Sequence, residues 1–252
     1  MDVVKDMPWH SKPDDGASSA GSVLFGTWNI QFGEAVGAAA EVLRNTDILD
    51  SLDVLFAQEL DDRGATSLAE QIGFRHLYAS SGVHARTGRP FGNAILSRHP
   101  LTDEQVVRLP GRAVVSGHPR IALQARCAIG GRSWTIASVH TEIPTLPLAL
   151  RRRQFIELGR SMRAHPSPVL IGGDFNTVTR RGRRALQADM SQAGLRRLAT
   201  ESKPPDTCFR GAAGFALDHF FGRGVTPVAS GTLAAQNASD HRLLWLRVSP
   251  RP

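Results

Sequence analysis

The chain has 252 residues, 41% of them hydrophobic, enough to build the core of one large α/β domain without requiring a second. Two cysteines, Cys127 and Cys208, exclude a disulfide framework and show no metal-binding spacing, so buried structural thiols are expected; no apolar run reaches the length of a membrane span. The formal charge of +7 favours a polyanionic partner, yet lysine occurs only at 5, 12 and 203, and an arginine-biased composition yields such a charge without any partner.

Residues 1–21, MDVVKDMPWHSKPDDGASSAG, lack the continuous apolar core of a secretory signal and read as a flexible arm, which predicts a cytoplasmic protein with a folded domain over 22–249. VLFGTWNI, 23–30, reads as a strand, AVGAAAEVLRN, 35–45, as a helix, DVLFAQEL, 53–60, as a strand and SLAEQIG, 67–73, as a short helix. Strands follow at 91–97, 121–129 and 134–140, the last two joined like a hairpin at Gly130-Gly131. LALRRRQFIELGRSM, 148–162, is an amphipathic helix with leucines, Phe155 and Ile156 on one face and arginines on the other. VLIGGDFN, 169–176, is an apolar strand that runs into two glycines and then sets Asp174 and Asn176 on one side of Phe175. A helix over 183–193 and strands near 215–221 and 243–248 complete the pattern, which predicts two sheets packed face to face and covered by helices.

Polar groups gather where these apolar runs end. Asn29, Glu59, His140, Asp174, Asn176, Asp218 and the pair Asp240-His241 each abut a strand, and strand ends in layered α/β folds converge on one mouth. Any one of them could be a turn residue, since Asp and Asn bond their own backbone readily. Independent turns would not choose carboxylates, carboxamides and imidazoles so selectively.

The pieces TWNI, QEL, GNAILSR, SVHTE, GGDFN, LDHFF and SDHRLL, in this order from residue 27 to 244, resemble the endonuclease/exonuclease/phosphatase superfamily, which includes deoxyribonucleases, abasic-site endonucleases, neutral sphingomyelinases and inositol polyphosphate phosphatases. The resemblance implies a four-layer α/β sandwich that cleaves phosphate esters with Mg2+, or Mn2+ in its place. It implies Glu59 as the leading metal ligand, with Asn29 and Asp240 completing the shell, in keeping with the preference of Mg2+ for hard oxygen donors. Asp174 would orient or deprotonate the attacking water, Asn176 would hold the phosphate, and Gly172-Gly173 would clear space for it. His241, steered by Asp218, would bind a phosphoryl oxygen as an imidazolium or act as an acid-base group. His140 joins the catalytic group; abasic-site endonucleases carry tyrosine there, and an aspartate where this chain has Gln31, so both positions point away from that branch. His219 alternates to the other face and is left out.

The substrate is less legible. Asn93 is a candidate contact to the phosphate or to a site residue, with a structural role as the alternative. TRRGRR, 179–184, follows Asp174 and Asn176 directly, so Arg180 and Arg181 are expected on the rim against a nucleic-acid backbone; Arg151 to Arg153 form another basic run, and either run could be a solvated face. The single tyrosine, Tyr78, predicts few stacking platforms. A monomeric phosphodiesterase acting on nucleic acid is expected. A lipid headgroup or small phosphorylated metabolite is the alternative substrate, and a non-catalytic binding protein the alternative class.

Overall fold

The computed structural model describes residues 21–85, 87–112, 117–166 and 168–251, so the expected arm, apart from Gly21, lies outside the described residues. The first half contains β1 (Val23–Asn29), α1 (Val36–Arg44), α2 (Ile48–Ser51), β2 (Leu52–Leu60), α3 (Asp62–Ile72), β3 (Arg75–Val83), β4 (Pro90–Ser97) and β5 (Leu101–Leu109). It continues through β6 (Arg120–Ile129), β7 (Arg132–His140), α4 (Leu148–Arg163), β8 (Val169–Asp174), α5 (Arg180–Ser191) and β9 (Arg196–Leu198). The last elements are β10 (Cys208–Arg210), β11 (Ala213–Phe215), β12 (Asp218–Arg223), β13 (Val225–Leu233) and β14 (Leu243–Pro250).

Two mixed six-stranded sheets result, one in the order β13-β14-β1-β2-β4-β3 and the other β5-β6-β7-β8-β12-β9. The β1–β2 and β7–β8 pairs are parallel and every other pairing in the two sheets is antiparallel. Alternation along each strand sends one set of side chains between the sheets, where Phe25, Phe56, Trp134, Ile136, Leu170 and Phe220 are buried together. The opposite set meets helices: Trp28 and Leu55 pack with Leu43 of α1 and Leu68 of α3, while Ile171 and Phe221 pack with Phe155 of α4 and Met190 of α5. Helix, sheet, sheet, helix is the four-layer sandwich the resemblance implies. No helix among the described residues is long and apolar enough to cross a membrane.

The Gly130-Gly131 hairpin forms as expected, both residues having positive φ (58° and 73°), as a two-residue turn of primed type requires. Several boundaries differ from the sequence expectation. The short helix expected over 67–73 is α3, which starts at Asp62 because the Asp61 side chain accepts from Gly64 N at 2.7 Å. Likewise α5 starts at Arg180, with Thr179 Oγ1 accepting from Gly182 N at 3.0 Å, so the arginine run is helical rather than a loop. The strand expected at 215–221 divides into β11 and β12.

Beneath one end of the sandwich a polar layer ties the sheets together. Gln58 Nε2 donates to Thr27 Oγ1 and Ser138 Oγ, and Ser138 Oγ donates to Ala57 O. Asn93 belongs to this layer: its Nδ2 donates to Ile121 O (3.0 Å) and Ser138 O (3.2 Å), committing the carboxamide to backbone carbonyls of the facing sheet.

Candidate active site

The mouth lies where β1, β2, β7 and β8 end and where the antiparallel strands β12 and β14 begin, so Asp218 and Asp240-His241 enter it from strand starts. It is a cavity of about 430 Å3 whose walls include Asn29, Glu59, His140, Asp174, Asn176, Asp240 and His241. Asp218 stands directly behind His241.

Local backbone geometry aims these groups. Strict alternation would send Glu59 to the helix-covered face with Leu55 and Ala57; instead the β2–β4 register slips between Gln58 and Leu60, Glu59 takes a φ of 64°, and its carboxylate opens on the mouth. Glu59 Oε2 accepts from Phe32 N, and its Oε1 accepts from Asn29 Nδ2 at 2.9 Å. The same Asn29 amide reaches Asp174 Oδ2 at 3.2 Å, so one carboxamide spans the two carboxylates. Asn29 Oδ1 accepts from Gln31 N, and Gln31 Oε1 accepts from Asp240 N, which makes Gln31 a positioning residue for Asp240.

Asp174 divides its oxygens. Oδ1 accepts from Asn176 N at 2.8 Å, an Asx turn, while Oδ2 faces His140 Nε2 (3.6 Å) and His241 Nε2 (3.9 Å). The turn puts Asn176 at a φ of 49° with its Nδ2 on Thr141 O. Gly172 and Gly173 serve packing rather than a phosphate: a Cβ on Gly172 would lie 2.4 Å from the Phe56 ring, and one on Gly173 would lie 1.9 Å from Val139 O. These glycines let the sheets approach and β7 pair closely with β8, which corrects the expectation that they clear space for substrate.

Burial and charge set the protonation of the group. Burial pushes the Asp174 carboxyl up to about 6, helped by the Asp218 and Glu59 charges and opposed by His241. It raises Glu59 too, eased by the Asn29 hydrogen bond and Arg120. Burial works against a charged His241, but the Asp218 carboxylate, 2.8 Å from Nδ1, overcomes it together with Cys208 and Asp174, holding the imidazole well above its ordinary value. His140 is driven the other way, well below that value, by burial and then by the Arg120 guanidinium. A protonated His241 and a neutral His140 therefore share one cavity at neutral pH.

Sequence reasoning missed several lining residues. Arg120 Nη1 lies 3.1 Å from His140 Nδ1, and Nη2 lies 3.2 Å from Glu142 Oε1, a buried ion pair at the cavity wall. Counting β6–β7 pairs back from Gly130-Gly131 brings Arg120 beside His140 and Glu142, a signal the hairpin alone carries. A row of rings also lines the wall: Phe32 and His84 lie 4.6 Å apart, His84 and Phe91 5.3 Å, and Phe91 and His118 4.7 Å, with the Arg120 guanidinium over Phe91. Histidines supply half of it, which is why a tyrosine count predicts few platforms. His219 does face away, its Nε2 3.0 Å from Thr177 Oγ1.

Three expected contacts are not brought to the mouth. Asn93 is held in the polar layer, Arg180 lines a separate pocket beside α5, and Arg181 lines neither cavity, because helix formation from Thr179 turns the run away from the strand end.

The donor set fits a hard divalent cation. The Asp240 charge raises the proton affinity of Glu59, and the Glu59 charge that of Asp174, a stress that a cation relieves, and the oxygen donors of Glu59, Asp240 and Asn29 suit Mg2+ or Mn2+. A softer set, Cys208, Asp240 and His241, has ligand atoms within 4.8 Å of one another, but His241 is protonated and its Nδ1 is committed to Asp218. Cys127 and Cys208 are both free and buried, as expected, and Cys208 also lines the cavity.

Residues 26–241 match the family model described as Endonuclease/Exonuclease/phosphatase family. A UPF0294 protein of Yersinia pseudotuberculosis is 28% identical over 152 residues, 60% of this chain and 54% of the relative; a Klebsiella pneumoniae UPF0294 protein is 28% identical over 162 residues, 62% and 56%. The chain thus spans little more than half the length of these curated relatives. Among solved structures, the human Nocturnin catalytic domain with bound sulfate anion superposes with a TM-score of 0.70 at 22% identity, over 91% of this chain and 94% of that one. A D. rerio TDP2 complexed with single strand DNA product gives 0.70 at 15% identity, over 90% and 99%. At such identities these likenesses concern the fold.

Proposed function

Because the chain belongs to the endonuclease/exonuclease/phosphatase family, we propose that it hydrolyses a phosphodiester with the help of Mg2+, most naturally in nucleic acid. One observation carries the reading: Asp174 Oδ2, the Asp218–His241 pair and the Asn29-bridged Glu59 face one another across a single cavity. Glu59, Asn29 and Asp240 would hold the cation, which supplies Lewis-acid charge to the phosphoryl and departing oxygens when bound.

The chain's own groups divide the remaining work. Asp174, with its carboxyl near 6, is mostly ionised at neutral pH yet still basic enough to take a proton from water as the water oxygen attacks phosphorus and the P–O ester bond breaks. Its Asx bond fixes the carboxylate so that Oδ2 faces the cavity. His241, kept cationic by Asp218, lies on the same side as Asp174 and so suits a phosphoryl oxygen whose charge grows in the transition state. Arg120 adds a second fixed positive charge to the wall, tied by Glu142, and orients the neutral His140. Asn176 completes the cradle. The ring row along the cavity favours a base-bearing substrate over a lipid headgroup, because aromatic faces stack on any base.

The test is turnover of bis-p-nitrophenyl phosphate with and without Mg2+, followed by a panel of plasmid, single-stranded DNA, RNA and phospholipid. Mg2+-dependent cleavage of the bis-ester and of a nucleic acid is expected. No turnover on any member would leave a binding protein on this fold, and cleavage of phospholipid alone would move the substrate to the lipid headgroup.

A further inference from the structure

Behind the mouth, on the outer face of β12, a second pocket of about 250 Å3 is lined by Arg180, Arg183 and Arg184 of α5 and Arg197 of β9, and floored by His219 and Phe221. No acidic residue lines it, and among the described residues none of these four arginines forms an ion pair, whereas Arg152 and Arg160 of the neighbouring helix are paired with Asp189 and Glu157. Two of the guanidinium groups are anchored. Arg183 Nη1 donates to Thr177 O, and Arg197 Nη2 donates to Glu201 O and Ser202 O, so positive charge is held in place rather than dispersed into solvent.

Such a cluster repels itself unless an anion enters. Guanidinium forks match the oxygens of a phosphate, and a pocket of this size accepts one phosphate group with its sugar rather than a stack of bases. The mouth is close at hand: Asp218 backs His241 of the catalytic cavity and the next residue, His219, faces this pocket, where it meets Thr177, one residue past Asn176. We propose that the four-arginine pocket is an anion subsite that takes a backbone phosphate of the nucleic-acid strand whose scissile bond occupies the mouth. It rests on the reading of the mouth as a nucleic-acid phosphodiesterase site and adds the path the strand follows beyond it.

The experiment measures binding without catalysis. Fluorescein-labelled single-stranded DNA is titrated by anisotropy in EDTA across a salt series, with wild type, Arg184→Gln, the double variant Arg180→Gln/Arg184→Gln, and Arg181→Gln. The last removes the same charge from the same helix but outside the pocket. Arg184→Gln should weaken binding several-fold at low salt and flatten the log-log salt slope by about 0.7 for the lost phosphate contact, the double variant should do so further, and Arg181→Gln should stay within about twofold. Arg197→Lys, which keeps the charge but loses the fork, should show an intermediate loss. Equal losses in Arg181→Gln and Arg184→Gln would reduce the pocket to diffuse surface charge, and unchanged binding in the double variant would remove the subsite. Wild type that binds anionic phosphatidylserine vesicles but no DNA would also overturn it. The two readings fail separately: the DNA-binding pattern without bis-ester turnover retains the subsite and removes the catalytic reading, while turnover without the pattern does the reverse.

Discussion

Asp174 shows how one side chain satisfies two demands at once. Its Oδ1 makes an Asx turn that Asn could make equally well, and its Oδ2 presents a charge that Asn could not. Asp174→Asn should therefore keep the fold and lose about 10² to 10⁴ in kcat, the usual weight of a general base. The sign of its pH dependence follows from the carboxyl standing at about 6 against an ordinary 3.8. Proton binding then favours the folded state, a contribution complete below about 3.8 and lost as pH rises through about 6. Asn carries no such loss, so in metal-free buffer the variant should melt higher than wild type above pH 6, with the difference closing near pH 4. Equal melting curves at pH 8 would mean that burial does not strain this carboxylate. Glu59→Gln tests the other side: it should leave the fold intact and weaken Mg2+ binding in a direct titration, and an unchanged titration would remove Glu59 from the ligand set. DFN is legible because the turn and the catalytic reading want the same residues. Arg120 is not, because one arginine among so many has no spacing of its own, and only the hairpin register distinguishes it.

At the scale of elements, legibility follows burial. Strands β2, β6, β7 and β8 are covered on both faces for most of their length, and their apolar runs announce them. The edge strands β3, β5 and β13 are half-buried or exposed along most of their length, so LTDEQVVRL has no apolar face to betray it and is held chiefly by backbone pairing with β6. Helix starts at Asp61 and Thr179 depend on single capping bonds rather than periodicity, which displaces the expected boundaries by several residues. The glycines of β8 give an element-level test. Gly172→Ala drives a methyl into the Phe56 and Phe220 rings, an overpacking that should cost about 1–3 kcal/mol, enough to lower Tm by several degrees. Had the glycine served a phosphate, the change would raise KM at unaltered Tm. Thermal melts beside KM on the bis-ester separate the two.

The whole molecule divides its chemistry between its sheets. Asn29, Glu59 and Asp240, the proposed cation ligands, all hang from β1, β2 and the start of β14 in one sheet; Asp174, His140 and Asp218 hang from β8, β7 and β12 in the other. Hydrogen bonds cross the gap at the mouth from Asn29 Nδ2 to Asp174 and between His241 Nδ1 and Asp218, beside the looser His241–Asp174 and His140–Glu59 approaches of 3.9 Å, and below them the Gln58, Asn93 and Ser138 layer fixes how the sheets sit on each other. Nothing in a linear motif reveals that partition, since the site residues of the two sheets interleave along the chain. Its consequence is a separation of functions. Gln58→Met keeps roughly the volume but removes the donor to Thr27 and Ser138, letting one sheet shift against the other while the ligand set moves as a unit. Misplacing catalytic groups by about 1 Å lowers rates steeply, so kcat should fall about tenfold or more. Mg2+ affinity should stay within about twofold, because all three ligands ride on one sheet, and Tm should drop modestly with the loss of a buried hydrogen bond worth about 0.5–1.5 kcal/mol. Paired Mg2+ titration and kcat on the same preparation decide the matter: if affinity falls in step with kcat, the cation is held from both sheets at once, and Asp174 joins its ligands.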